Sequence, residues 1–169
     1  TGYQLATAVD DPMDIYVAQI ANGEPEQAIN LGTPVNSQYL DGEHALGPDG
    51  STLYLSSNRP GGAGGVDIWR SSRANGVWSE PVNTGAPVNS AAWEGQPAFA
   101  ADDPDTMYFV SNRDGPSAIY RSTREGDSWG QPEELITGYV GEPTLVRDGS
   151  IMYFVHVLVD GSGVFGSDV

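Results

Sequence analysis

The sequence contains neither cysteine nor lysine. Without cysteine there is no disulfide, no thiolate nucleophile and no Cys-ligated zinc, and the redox compartment leaves no mark. Without lysine, the run Gly61-Gly62-Ala63-Gly64-Gly65 is not a Walker A phosphate cradle, and Schiff-base chemistry is excluded, pyridoxal phosphate anchoring included. All seven basic residues are arginine, set against 23 acidic ones, for a formal net charge of −16. A surface of that sign repels phosphate backbones and anionic lipid, which argues against nucleic acid as a partner. It suits calcium, a cationic partner or solubility in a salty medium. No apolar run approaches the roughly 20 residues of a membrane-spanning helix, so membrane insertion is not expected. Thr1 to Val9 lack the basic start and apolar stretch of a signal peptide. Helical periodicity is missing as well, because no segment keeps apolar residues at helical spacing for three turns. The GxSxG nucleophile elbow is also absent.

What is present is repetition. Ile29-Asn30-Leu31-Gly32-Thr33-Pro34-Val35-Asn36-Ser37 returns 53 residues later as Val82-Asn83-Thr84-Gly85-Ala86-Pro87-Val88-Asn89-Ser90. Asp14-Ile15-Tyr16 returns at the same offset as Asp67-Ile68-Trp69, with echoes at Ala118-Ile119-Tyr120 and Gly163-Val164-Phe165. Leu53-Tyr54-Leu55-Ser56-Ser57-Asn58-Arg59 matches Met107-Tyr108-Phe109-Val110-Ser111-Asn112-Arg113, and Met152-Tyr153-Phe154-Val155-His156 is a third appearance. Glu43, Glu94 and Glu142 each open a run that ends in an Asp-containing turn. A period of about 45 to 54 residues points to propellers, solenoids or arrays. Short runs rich in Tyr, Phe, Val, Ile and Leu, punctuated by Gly, Pro, Asn and Asp, make the units all-β. In the best-preserved unit four strands are expected: 44–46 innermost, 51–57, 67–72, and 77–82 outermost. Four antiparallel strands per repeat, stacked so that each seals its neighbour's apolar face, describes a propeller blade.

The ordered set of Glu, Pro48-Asp49-Gly50, Leu53–Arg59, Gly61–Gly65 and Asp67-Ile68-Trp69 resembles PD40 (WD40-like) repeats of TolB-like β-propellers. The resemblance runs over nearly the whole chain, although no Trp-Asp dipeptide ends the third strand and Val157-Leu158 replaces Asn-Arg in the last unit. It implies one propeller domain over 1–169, with blade boundaries near 1–42, 43–90, 91–138 and 139–169: two complete blades and two partial ones. The expectation is therefore an excerpt of a larger propeller, or a partial ring completed by self-association with a second copy; a four-bladed ring is the lesser alternative. The resemblance also implies a periplasmic, secreted or cell-surface protein.

The same mapping puts Glu43, Glu94 and Glu142 at the mouth of the central channel, with Arg59 and Arg113 on the same side. Two readings follow: an acidic rim that binds a ligand, or a salt bridge in each blade, Glu43 to Arg59 and Glu94 to Arg113, that fixes a loop. Tyr39, Trp93 and Tyr139 fall in connections between blades, where an aromatic ring can stack on a sugar or anchor a peptide, or cover the blade edge. Trp78 and Trp129 are assigned to packing between outer strands. Asp10, Asp11 and Asp14 are the candidate oxygen ligands for calcium, at a spacing that does not match an EF-hand. His44 and His156 show no partner pattern for a metal. Ser122 to Trp129 resembles the sialidase Asp-box, with Arg124 where its Asp belongs, but that motif is a structural hairpin. No catalytic residue and no cofactor are assigned. The function expected is a non-catalytic module binding protein or glycan through the channel face; the alternatives are part of a glycan-active hydrolase or lyase, or the gating propeller of a peptidase.

Overall fold

A computed structural model describes residues 13–159 and 165–167, and every regular element in them is a β-strand. The first unit pairs β1 (Tyr16–Val17) with β4 (Ile29–Asn30), and β2 (Ile20–Ala21) and β3 (Glu24–Pro25) form the hairpin between them. In the second, β5 (Asp41–Leu46), β6 (Thr52–Ser57) and β7 (Asp67–Ala74) make a meander, and β7 is flanked by β8 (Val77–Trp78) and β9 (Val82–Asn83). The third repeats this plan with β10 (Glu94–Ala100), β11 (Asp103–Ser111), β12 (Ala118–Glu125), β13 (Ser128–Trp129) and β14 (Glu133–Ile136). β15 (Val140–Leu145), β16 (Met152–Val159) and β17 (Phe165–Ser167) form the last sheet. All these strand pairs are antiparallel, and a parallel bridge between Val66 and Trp93 ties the second sheet to the third.

Local chemistry accounts for the turns. Asn22-Gly23 and Asn75-Gly76 both have positive φ at each position, 55° and 84° in one, 52° and 83° in the other. That is the geometry a two-residue hairpin needs to match strand twist, and Asn-Gly adopts it at least cost. The single outermost strand expected over 77–82 is instead two short pieces, β8 and β9. Pro81 has no N–H to give a ladder. Just before it, Ser79 bonds back to the third strand, its backbone N–H donating to Ser72 O and its Oγ accepting from Ser72 N.

The recurring Pro-Val-Asn-Ser segment lies between sheets. Asn36 Oδ1 accepts from Ile15 N at 3.0 Å and its Nδ2 donates to Ile15 O at 2.9 Å; Asn89 makes the same pair with Ile68 at 2.9 and 2.8 Å. A side-chain amide thus stands in for a neighbouring strand and satisfies buried backbone groups. The valine beside it is fully buried in both copies.

The core consists of three layers between consecutive sheets. Ile15 and Val35 pack on Leu53, Leu55 and Trp69; Tyr54 and Ile68 pack with Met107, Phe109 and Tyr120; Val110 and Ile119 pack on Val140 and Met152. Alternation along β6 sends Leu53 and Leu55 to one neighbour and Tyr54 to the other, so the middle sheets are apolar on both faces. Each fully buried side chain of this size contributes about 1.5–3 kcal/mol. Serial stacking also brings the first strand of each sheet against that of the next, β5 on β10 and β10 on β15.

Candidate functional site

The three first strands share a defect. Their pairing with the second strands slips between Gly42 and Ala45, between Gly95 and Ala98, and between Gly141 and Thr144. At each bulge the residue after the glycine takes the left-handed conformation: Glu43 (φ 43°), Gln96 (φ 52°) and Glu142 (φ 54°). Positive φ costs a non-glycine residue energy, and bulges re-aim side chains, so three such residues at one repeat position mark a built feature.

The glycine is required by close approach. A Cβ on Gly95 would lie 2.7 Å from the Trp93 ring and 2.8 Å from Ser56 Oγ, and one on Gly141 would lie 2.9 Å from Gln96 Oε1. Through these contacts the bulges of different sheets join. Gln96 Nε2 donates to Glu43 Oε1 at 3.3 Å, Glu142 N donates to Gln96 Oε1 at 2.6 Å, and Gln96 N donates to Ser56 Oγ at 3.1 Å. Glu43, Gln96 and Glu142 therefore form one hydrogen-bonded chain across three sheets.

Two concavities flank that chain. The polar one, about 420 Å³, is lined by Glu43, His44, Gln96 and Glu142 with Pro97, Pro143 and Thr144. The apolar one, about 380 Å³, shares Gln96 and Glu142 and adds Trp93, Tyr139 and valines 110, 140, 155 and 157. Partial desolvation against the wall of the polar concavity lowers the pKa of the His44 imidazole, although the residue as a whole is exposed. The combined surface offers carboxylate and carboxamide oxygens beside aromatic and aliphatic carbon. Such a surface suits an ammonium or guanidinium group, or sugar hydroxyls, with a neighbouring apolar face.

The sequence-based candidates separate here. Glu43, Glu142, Trp93 and Tyr139 line the concavities. Glu94 does not: it is fully buried, accepting from Ser90 N (2.7 Å), Ser90 Oγ (2.6 Å) and Ser111 Oγ (2.8 Å), with Arg113 Nη2 at 3.3 Å. Its counterpart in the preceding sheet is Asp41, which accepts from Ser37 N and Ser37 Oγ and pairs with Arg59 at 2.5 Å. The expected Glu43–Arg59 bridge is thus corrected to Asp41–Arg59, while Glu94–Arg113 is present. The reason is register: Glu94 stands 53 residues after Asp41, and the true partner of Glu43 is Gln96, which the sequence reading missed. Carrying the offset of the Val-Asn-Ser repeat six residues further would have found it.

Arg59 and Arg113 are interior braces rather than part of the concavities. Arg59 donates to Val35 O (2.7 Å) and Ser57 Oγ (3.1 Å), and its guanidinium lies 5.5 Å from the Trp69 ring centroid. Arg113 donates to Pro87 O (3.0 Å), Val88 O and Ser111 Oγ, over Phe109 and Tyr120. Tyr39 lines neither concavity, and its hydroxyl accepts from Gln38 Nε2. Trp129 is buried against Tyr54 and Phe99, and Trp78 packs at the edge of the layer between the first two sheets.

Of the calcium candidates, Asp10 and Asp11 lie outside the described residues. Asp14 occupies the repeat position of Asp67, a structural carboxylate that accepts from Ala63 N, Gly64 N and Asn83 Nδ2. Asp14 accepts from Asn30 Nδ2 in the same way. Among the described residues, no three His, Asp or Glu side chains gather as a metal site. No protein-family model matches this chain, and no curated protein matches it.

Proposed function

We propose that the chain is part of a β-propeller of the PD40 type and acts as a non-catalytic binding module, holding protein or glycan at the end of the channel lined by β5, β10 and β15. Serial stacking of antiparallel sheets through their faces, with each first strand against the next, supports the radial arrangement. The observation that carries the binding reading is the chain Glu43–Gln96–Glu142 beside the Trp93–Tyr139 concavity. The braces Asp41–Arg59 and Glu94–Arg113 stabilise the second and third sheets, so the carboxylates of Glu43 and Glu142 are not needed there and line the concavities instead. Two carboxylates and an amide recognise cationic side chains of a protein or hydroxyls of a sugar; the aromatic pair supplies stacking area. A cell-surface, secreted or periplasmic setting goes with this proposal.

The test is a titration of the purified chain with basic peptides and neutral and amino-sugar oligosaccharides, followed by calorimetry on Tyr139→Ala with Glu142→Gln. Loss of one hot-spot aromatic and one charge is expected to weaken binding at least tenfold. Ligand binding unchanged in the double variant, or glycan turnover by the wild-type chain, would sink the proposal.

A further inference from the structure

The outer hairpin of the third sheet carries an arginine with no counter-ion. Ser122 Oγ donates to Gly130 O at 2.7 Å and Gly130 N to Thr123 O at 2.8 Å, which closes the β12–β13 hairpin and sets Arg124 opposite Trp129. Arg124 stands where the Asp-box has its Asp. Its guanidinium lies 4.5 Å from the Trp129 ring centroid, and its Nη2 donates to Tyr54 OH at 3.2 Å. Both partners are neutral. The four ion pairs among the described residues engage Arg59, Arg113, Arg121 and Arg147, so no carboxylate answers the charge of Arg124. Arg70 and Arg73 lack a carboxylate too, but both are exposed and water solvates them. Arg124 is half-buried and anchored twice, in a chain with 23 acidic residues to choose from.

That charge faces a cleft of about 210 Å³ between the second and third sheets, at the strand ends where the β5–β6 turn approaches the start of β11. The cleft shares no residue with the two concavities. Tyr54 and Phe99, with ring centroids 4.8 Å apart, give it an aromatic wall. The Tyr54 hydroxyl is a second donor: having accepted from Arg124, it keeps a proton for which no acceptor stands among the described residues. Two exposed carboxylates also line the cleft, Asp49 and Asp105. Asp49 is committed to Ser51 N, Thr52 N and Thr52 Oγ1. Asp105 gives only its backbone N–H, to Asp103 Oδ1, and its carboxylate is open.

Charge selects the ligand. A simple anion would approach against a net charge of −16, and a simple cation would meet Arg124. A molecule with both charges a few bonds apart escapes both penalties. The space is smaller than the roughly 300–1,000 Å³ of drug-sized sites, and its aromatic wall calls for an apolar body. We propose that this cleft binds a zwitterionic amino acid with an apolar side chain. Its carboxylate takes the Arg124 guanidinium and the Tyr54 hydroxyl, its ammonium turns to Asp105, and its side chain lies against Phe99. The proposal does not depend on what the concavities bind.

Calorimetric titration of the purified chain with L-phenylalanine and L-leucine is expected to show saturable binding at millimolar concentration or below. Phenylacetate and phenethylamine, which each keep one of the two charges, are expected to bind at least about tenfold more weakly than phenylalanine. Arg124→Gln is expected to weaken phenylalanine binding by at least that factor. Because Arg124→Gln also removes a bond to buried Tyr54, Asp105→Asn is the second variant, made at an exposed side chain that holds nothing in place, and it too is expected to weaken binding. Tyr139→Ala with Glu142→Gln is expected to leave amino-acid binding as it is. No saturable binding of either amino acid, phenylacetate binding as tightly as phenylalanine, affinity unchanged in Asp105→Asn, or affinity lost in the Tyr139 and Glu142 double variant would each overturn the proposal.

Discussion

The carboxylate that braces the sheet and the one that lines the polar concavity stand two residues apart, Asp41 and Glu43. Asp41 is fully buried and holds Arg59, itself 8% exposed, together with the Ser37 N–H and hydroxyl. Removing one partner of such a pair strands the other charge in the interior, which costs about 3–5 kcal/mol. Asp41→Ala is therefore expected to lower the urea midpoint sharply, and Glu43→Gln to leave it within about 0.5 kcal/mol of wild type. Equal losses from both would contradict the assignment of Asp41 as the brace. His44, the next neighbour, gives a pH test. Partial desolvation of this otherwise exposed residue lowers its pKa in the fold, so the unfolded chain takes up the proton more readily, an effect that solvent screening keeps modest. The stability this contributes is fully present above the unfolded value of about 6.5 and is lost as pH falls through the folded value. Urea melts from pH 7.5 to 5.5 are expected to show a shallow decline that His44→Gln flattens; parallel slopes for the two proteins would exclude His44 as its source.

At the scale of the element, strand positions were readable because each carries its own chemistry: Tyr-centred apolar runs between Asn-Gly and Asp-Gly turns. Register was not. A slip of two residues keeps every side chain on its own face, so alternation cannot detect it, and the Glu94 carboxylate made a false match to Glu43 easy. The bulge lies deeper still, since no residue type announces positive φ at a glutamate; only the glycine before it hints at close packing. That glycine is open to test. Gly95→Ala would push a methyl into the Trp93 ring and Ser56 Oγ, and disturb the Gln96 N–H bond to that oxygen, at a cost of about 1–3 kcal/mol. Gly65→Ala meets nothing within 4 Å and has no left-handed backbone to strain, so it is expected to be neutral or stabilising by up to about 1 kcal/mol. Chemical denaturation of the pair separates a glycine needed for packing from one in an open loop; similar costs for both would remove the packing argument.

For the whole molecule the dominant fact is the charge of −16, carried by a fold whose few cations are largely committed. Two of the four ion pairs among the described residues, Asp41–Arg59 and Glu94–Arg113, are interior, where salt screens weakly. The other two, Arg121–Glu133 and Arg147–Asp102, are exposed and worth about 0–1 kcal/mol each. Raising ionic strength from 0.01 to 0.15 M shortens the screening length from roughly 30 to 8 Å. That relieves repulsion among many unpaired carboxylates while weakening only two modest attractions, so the balance favours the folded state. The melting temperature is expected to climb with sodium chloride, by roughly 2–4 °C for each kcal/mol of repulsion relieved. A fall would mean that surface pairing outweighs repulsion. Calcium and magnesium chlorides at equal concentration are expected to act alike, because screening responds to valence and not to ligand geometry. A saturable excess for calcium alone would instead mark an oxygen-ligand site, and loss of that excess in Asp14→Asn would locate it at the start of the first unit.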